Sequence, residues 1–155
     1  MTPADSVVSN SSPLIAFERI GRVDLLQRMF DGRLAIPSAV AREVYGNIAI
    51  PPWIHVVPVS AMADPTASPT LGAGEREAIT LAIALSAELI ILDDLPARRL
   101  AARRGLAVIG TVGVLLVAKR TGAISAIAPI LESLVAAGFH LSDRVRDSAL
   151  AAAEE

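Results

Sequence analysis

The chain of 155 residues contains no cysteine. Disulfides, thiolate metal sites and cysteine nucleophiles are therefore outside its chemistry, and a reducing compartment suits it. Aromatic residues make up 3%, with one Trp, one Tyr and three Phe, which gives no aromatic interleaving for a base-stacking surface. Its two histidines, His55 and His140, lie far apart without the spacing of a metal pair. Packing or surface roles are their ordinary reading, and histidine acid–base cleavage is unattractive. Neither sign of charge dominates: 14 Lys and Arg stand against 16 Asp and Glu, a net charge of −2. Any binding of nucleic acid must then rest on a local basic patch or on metal ions. The uncharged run Gly105 to Ala118 is shorter than the roughly 18 apolar residues that span a bilayer. Met1 to Ser9 has neither the basic start nor the apolar stretch of a secretory signal, so a cytoplasmic protein without membrane segments is expected.

What is present is aliphatic. Hydrophobic residues make up 53% and mean hydropathy is +0.54, enough for one core and one domain over 1–155. Short apolar runs at Val7–Ser9, Leu34–Ile36, Ile54–Val57, Leu89–Leu92 and Ala107–Ile109 read as strands, and no internal repeat relates them. Helical spacing fills the intervals. Ser12 as cap with Pro13 starts one helix, and Val23 to Met29 suggests a second. Ser38 caps a third running to about Tyr45, and another spans about Gly74 to Ser86. Pro96 starts a helix through Arg104, Thr111 caps one through Arg120, and Ser125–Ala137 and Ser142–Ala153 follow. The proline-broken stretch from Gly46 to Gly74 is a surface excursion, where Trp53 packs or anchors a partner. Strands without period-two alternation, separated by helices, predict an α/β fold: a three-layer sandwich with a central parallel sheet.

In such folds ligands bind beyond the carboxyl ends of the strands, where the strand order switches. Two strands end in suggestive residues, Asn10, Ser11 and Ser12 after the first, Asp93 and Asp94 after the fourth. Glu43, Glu75 and Glu77 can join them in an acidic cluster. Each also has a structural reading: Glu75 and Glu77 suit a helix start, Glu43 a solvated face, Asp94 a turn. Carboxylates about 5 Å apart repel by about 3 kcal/mol per pair at an effective dielectric of about 20. A hard divalent cation, Mg²⁺ or Mn²⁺, offsets that repulsion and accepts oxygen ligands. It also activates water and stabilises phosphodiester oxyanions, which implies metal-dependent phosphodiester hydrolysis. Competing α/β readings fail on position. No glycine-rich phosphate loop follows the first strand, and Lys119 lies inside a helix rather than at the strand end a phospho-receiver requires.

The segments Val8-Ser9-Asn10-Ser11-Ser12-Pro13-Leu14-Ile15, Ile36-Pro37-Ser38-Ala39-Val40 with Glu43, and Gly74-Glu75-Arg76-Glu77-Ala78-Ile79 are followed by Leu92-Asp93-Asp94 with Arg98. Ile109-Gly110-Thr111-Val112-Gly113-Val114-Leu115 comes next, with Ala118-Lys119 close behind. In order and spacing this set resembles PIN-domain proteins, the fold of prokaryotic ribonuclease toxins of the VapC type, and most closely a branch of unassigned function. The resemblance covers nearly the whole chain. It implies a negatively charged pocket, Mg²⁺ or Mn²⁺ as cofactor, single-stranded RNA as substrate, a small antitoxin encoded nearby as partner, and a homodimer. By position, the family's first carboxylate falls at Asn10, the second at Glu43, the third at Glu77 with Glu75 as competitor, and the last at Asp93 or Asp94. Asn10 is a departure, because the family usually has Asp there and Asn offers a neutral carbonyl oxygen. The resemblance then has Asn10, Glu77 and Asp93 holding a hydrated ion, while Glu43 and Asp94 bind it through water or orient the nucleophile. Ser11, Arg98 and Arg99 are the candidate RNA contacts, against a reading of the arginines as a solvated face. The alternative is a catalytically impaired PIN-like scaffold that binds RNA or a protein partner without cleavage.

Overall fold

The computed structural model describes residues 6–44, 50–59 and 71–155; Asp5 and Tyr45 lie outside that range. Five short strands form one parallel sheet: β1 (Val7–Ser9), β2 (Leu34–Pro37), β3 (His55–Val57), β4 (Leu89–Ile91) and β5 (Val108–Ile109), in the order β3-β2-β1-β4-β5. Eight helices are described around it: α1 (Ser11–Arg19), α2 (Val23–Phe30), α3 (Ser38–Val44), α4 (Ala73–Ala84), α5 (Leu95–Arg103), α6 (Thr111–Arg120), α7 (Ala128–Ala136) and α8 (Asp143–Ala152). No described helix is long and apolar enough to cross a membrane.

The aliphatic strands have two apolar faces because both are covered. Successive side chains point to opposite sides of a strand, and the packing follows that alternation. Val7, Leu34, Ile36 and Ile91 join one cluster with Phe17, Leu25, Leu115 and Leu131. Val8, Ala35, Ile90 and Leu92 join another with Ala78, Ala82, Ala97 and Ala101. The alanines of α4 and α5 let those two helices lie close on the second face. Trp53 packs against the first cluster.

Strand order reverses beside β1, which sits between β2 and β4. The carboxyl ends of β1 and β4 are tied by the Asn10 N–H donating to the Ile91 carbonyl at 3.1 Å. Residues directly after these two strands therefore meet at the switch point.

Several helix starts differ from expectation. α1 begins at Ser11 with Asn10 in the capping position, yet the Asn10 side chain makes no capping bond; it is engaged elsewhere, as described below. α7 begins at Ala128 rather than near Ser125, because its start is capped from a distance. The Glu155 carboxylate accepts from the N–H groups of Ile127 (2.8 Å) and Ala128 (3.0 Å) and from Lys119 Nζ (3.0 Å), and Lys119 also donates to the Ala153 carbonyl.

The Ile127 N–H, above all, holds the Glu155 carboxyl below its ordinary value of 4.5. A depressed folded value stabilises the fold above the unfolded value, and that contribution is lost as pH falls through the folded one. Glu155→Gln should thus lower the thermal midpoint at neutral pH, with the difference from the native chain shrinking as the pH is taken below 4.5. A difference independent of pH across calorimetric scans would reject the charged cap.

Candidate active site

Asp93 follows β4 and is held by one residue. The Thr111 N–H donates to Oδ1 at 2.8 Å and the Thr111 hydroxyl to Oδ2 at 2.6 Å. Thr111, expected to cap α6, is instead its first helical residue behind Gly110. Its fully buried hydroxyl serves Asp93 because the fifth strand ends alongside the fourth. Gly110 leaves room for both side chains: a Cβ there would lie 2.6 Å from Arg98 Nη1 and 2.9 Å from Asp93 Oδ1, so they would have to shift. Arg98 Nη1 itself donates to the Leu92 carbonyl at 3.0 Å, locking the guanidinium beside the strand end.

Glu43 of α3 accepts from the Ser11 hydroxyl at 2.7 Å and from the Gly74 N–H at 3.1 Å. Gly74 is again a matter of space, since a Cβ there would fall 2.5 Å from Glu43 Oε1. Asp94 caps its own helix, accepting from the Ala97 N–H at 3.0 Å. Glu77 turns to α3, where its carboxylate accepts from the Ala39 N–H at 3.1 Å and lies 3.8 Å from Arg42. Each of these four carboxylates occupies the start of a helix, where N–H groups and the helix dipole favour negative charge. The offset for gathered carboxylates, assigned above to a cation, is here supplied in large part by the backbone.

Two groups are left less well matched. Asn10 is 1% exposed; its Nδ2 reaches Glu75 Oε1 at a long 3.4 Å, and its Oδ1 is buried with no hydrogen-bond partner. Glu75 lines a pocket of about 540 Å³ together with Ser12, Arg19, Asp93, Asp94 and His140. Of the two acids in the first turns of α4, Glu75 rather than Glu77 therefore faces the site. A second pocket of about 490 Å³ shares Asp93, Phe139 and His140 and adds Arg98. Arg99 lines neither. Thr111, Arg19, Phe139 and His140 were not expected at the site. A polar residue just past the fifth strand was the available signal for Thr111; the other three come from a helix end and a connection that no strand-end rule points to.

A family model, DUF3368, described as a PIN domain, matches residues 6–155. The chain belongs to the PIN-domain family. No curated protein and no solved structure gives a match. PIN domains are a nuclease-type scaffold and generally depend on divalent metal. In this PIN domain, no three Asp, Glu or His side chains among the described residues converge to hold one ion. The oxygen donors that remain are a buried amide oxygen without a partner and the pocket-lining carboxylates Glu75 and Asp93. That set fits a hard cation that keeps several waters and takes one or two carboxylates.

Thr111→Val should cost about 1–2 kcal/mol in urea unfolding, because it deletes one donor to a half-buried carboxylate, and Thr111→Ser should recover most of it. Equal stability of the Val and native proteins would remove Thr111 as the Asp93 anchor.

Proposed function

We propose that this PIN domain is a Mg²⁺- or Mn²⁺-dependent endoribonuclease that cuts single-stranded RNA, acting as the toxin of a toxin–antitoxin pair. The observation that carries the reading is the buried, unpartnered Oδ1 of Asn10, a residue whose Nδ2 reaches Glu75, which itself lines a pocket with Asp93. Asn10, Glu75 and Asp93 would hold the ion. When bound, it supplies positive charge for the phosphodiester oxyanion and lowers the cost of deprotonating water. Thr111 fixes both oxygens of Asp93, Glu43 keeps Ser11 and the start of α4 in place, and Asp94 orients α5. The exposed side chains of Ile83, Leu95, Val135 and Val145 are apolar surface that an antitoxin or a second copy would cover.

A second reading, an RNA- or protein-binding scaffold without cleavage, draws on the neutral Asn10 and on the absence of three converging acids among the described residues. The two separate in one experiment. With Mn²⁺ and single-stranded RNA, the ribonuclease reading expects cleavage that falls by about 10–100-fold or more in Glu75→Gln and Asp93→Asn. Undiminished cleavage in both variants excludes this site, and binding without cleavage in the native protein selects the scaffold. Asn10→Asp should raise Mn²⁺ affinity about tenfold in calorimetry, the effect of roughly 1.4 kcal/mol; equal or weaker binding counts against Asn10 as a ligand.

A further inference from the structure

The pocket over Glu75, Asp93 and Asp94 has one guanidinium in its wall, that of Arg19. Arg19 is exposed and ends α1. Its guanidinium has no hydrogen bond or ion pair with any described residue, although three carboxylates share its pocket. Those carboxylates are engaged elsewhere: Asp93 with Thr111, Asp94 with the Ala97 N–H, Glu75 with Asn10. Arg19 Nη1 instead lies over Gly138, 3.9 Å from where a Cβ would stand. Gly138 has φ +99, a left-handed conformation that suits glycine, and its N–H and that of Phe139 bond back to the carbonyls of Val135 and Leu134. The guanidinium thus sits at the carboxyl-terminal ends of both α1 and α7, where two helix dipoles favour a cation without consuming its donors.

From this arrangement we infer that Arg19 is the phosphate-binding residue of the pocket, taking the non-bridging oxygens of an RNA backbone phosphate through its forked N–H groups. A polyanion entering among three carboxylates needs a cation that those carboxylates have not neutralised, and Arg19 is the guanidinium there that meets this condition. Arg98, in the adjoining pocket, already spends Nη1 on the Leu92 carbonyl. Guanidinium matches phosphate geometry bidentately, and its charge-assisted hydrogen bonds are of the stronger kind. The inference rests on the ribonuclease reading, because it takes RNA as the ligand.

The test is fluorescence anisotropy with a labelled, randomised-sequence single-stranded oligoribonucleotide pool, with Ca²⁺ as the only divalent ion, titrated at several salt concentrations. Arg19→Ala and Arg19→Gln should bind about tenfold more weakly. Their log affinity against log salt should be shallower by about 0.7, the loss of one contact to a single strand. Arg19→Lys should restore the slope and part of the affinity. A slope unchanged in both neutral variants, with RNA still bound by the native protein, overturns the inference and leaves the ribonuclease reading standing. Native protein that shows no RNA affinity overturns that reading, and the inference with it.

Discussion

Backbone N–H groups at the starts of α3, α4, α5 and α6 each hold a carboxylate, and only α5 draws that acid from its own capping residue. Two of these contacts are reciprocal: Glu43 of α3 closes the start of α4 through Gly74, and Glu77 of α4 closes the start of α3 through Ala39. Asp93 reaches from the end of β4 to the start of α6. A charged acceptor on a helix N-terminus satisfies donors that would otherwise have no partner and is favoured by the dipole. Each latch therefore fixes the relative placement of two chain segments as well as capping one helix. The partial exposure of these acids limits what each contributes to stability, but together they set where the segments carrying the site begin.

This explains how acidic residues gather at one end of the sheet. Repulsion of about 3 kcal/mol per close pair matters for carboxylates that face each other bare. Here Glu43, Glu77, Asp93 and Asp94 each face a separate set of donors. Glu75 and Asn10 are the exceptions, joined by one long contact and leaving Asn10 Oδ1 without a donor. Asparagine at this position is intelligible in the same terms. Its Nδ2 gives Glu75 a donor, whereas Asp would place a second carboxylate against it in a position that is almost fully buried.

Much of the fold was legible because buried parallel strands must be aliphatic on both faces, so Val7-Val8, Leu34-Ala35-Ile36 and Ile90-Ile91 stand out as short unbroken runs. The rule that sites lie past strand ends then pointed to Asn10 and Asp93. The choice between Glu75 and Glu77 was not legible. Two residues apart on a helix of 3.6 residues per turn they diverge by about 200°, so one faces the pocket and the other faces α3, and periodicity does not say which. In sequence Thr111 reads as a helix cap because threonine is a favoured capping residue; only the pairing of β5 with β4 brings it to Asp93. Arg19 and His140 lie on segments with no strand end nearby, so their meeting across α1 and the α7–α8 connection depends on tertiary packing alone.

The two classes of acid have different consequences for ion binding. A cation taken by Glu43 alone competes with donors already in place, whereas Asn10 Oδ1 has no partner to lose. A carboxylate oxygen has lone pairs to spare, so Glu75 can keep the Asn10 donor, and Asp93 its Thr111 donors, and each still accept a cation. Ion binding at Asn10 and Glu75 would then satisfy a buried oxygen without opening any of the latches that position the helices. On the proposed reading the scaffold would be arranged before an ion binds, unlike small metal domains whose folding and metal binding are one event. Loss of the proposed ion would then remove chemistry while leaving the architecture intact.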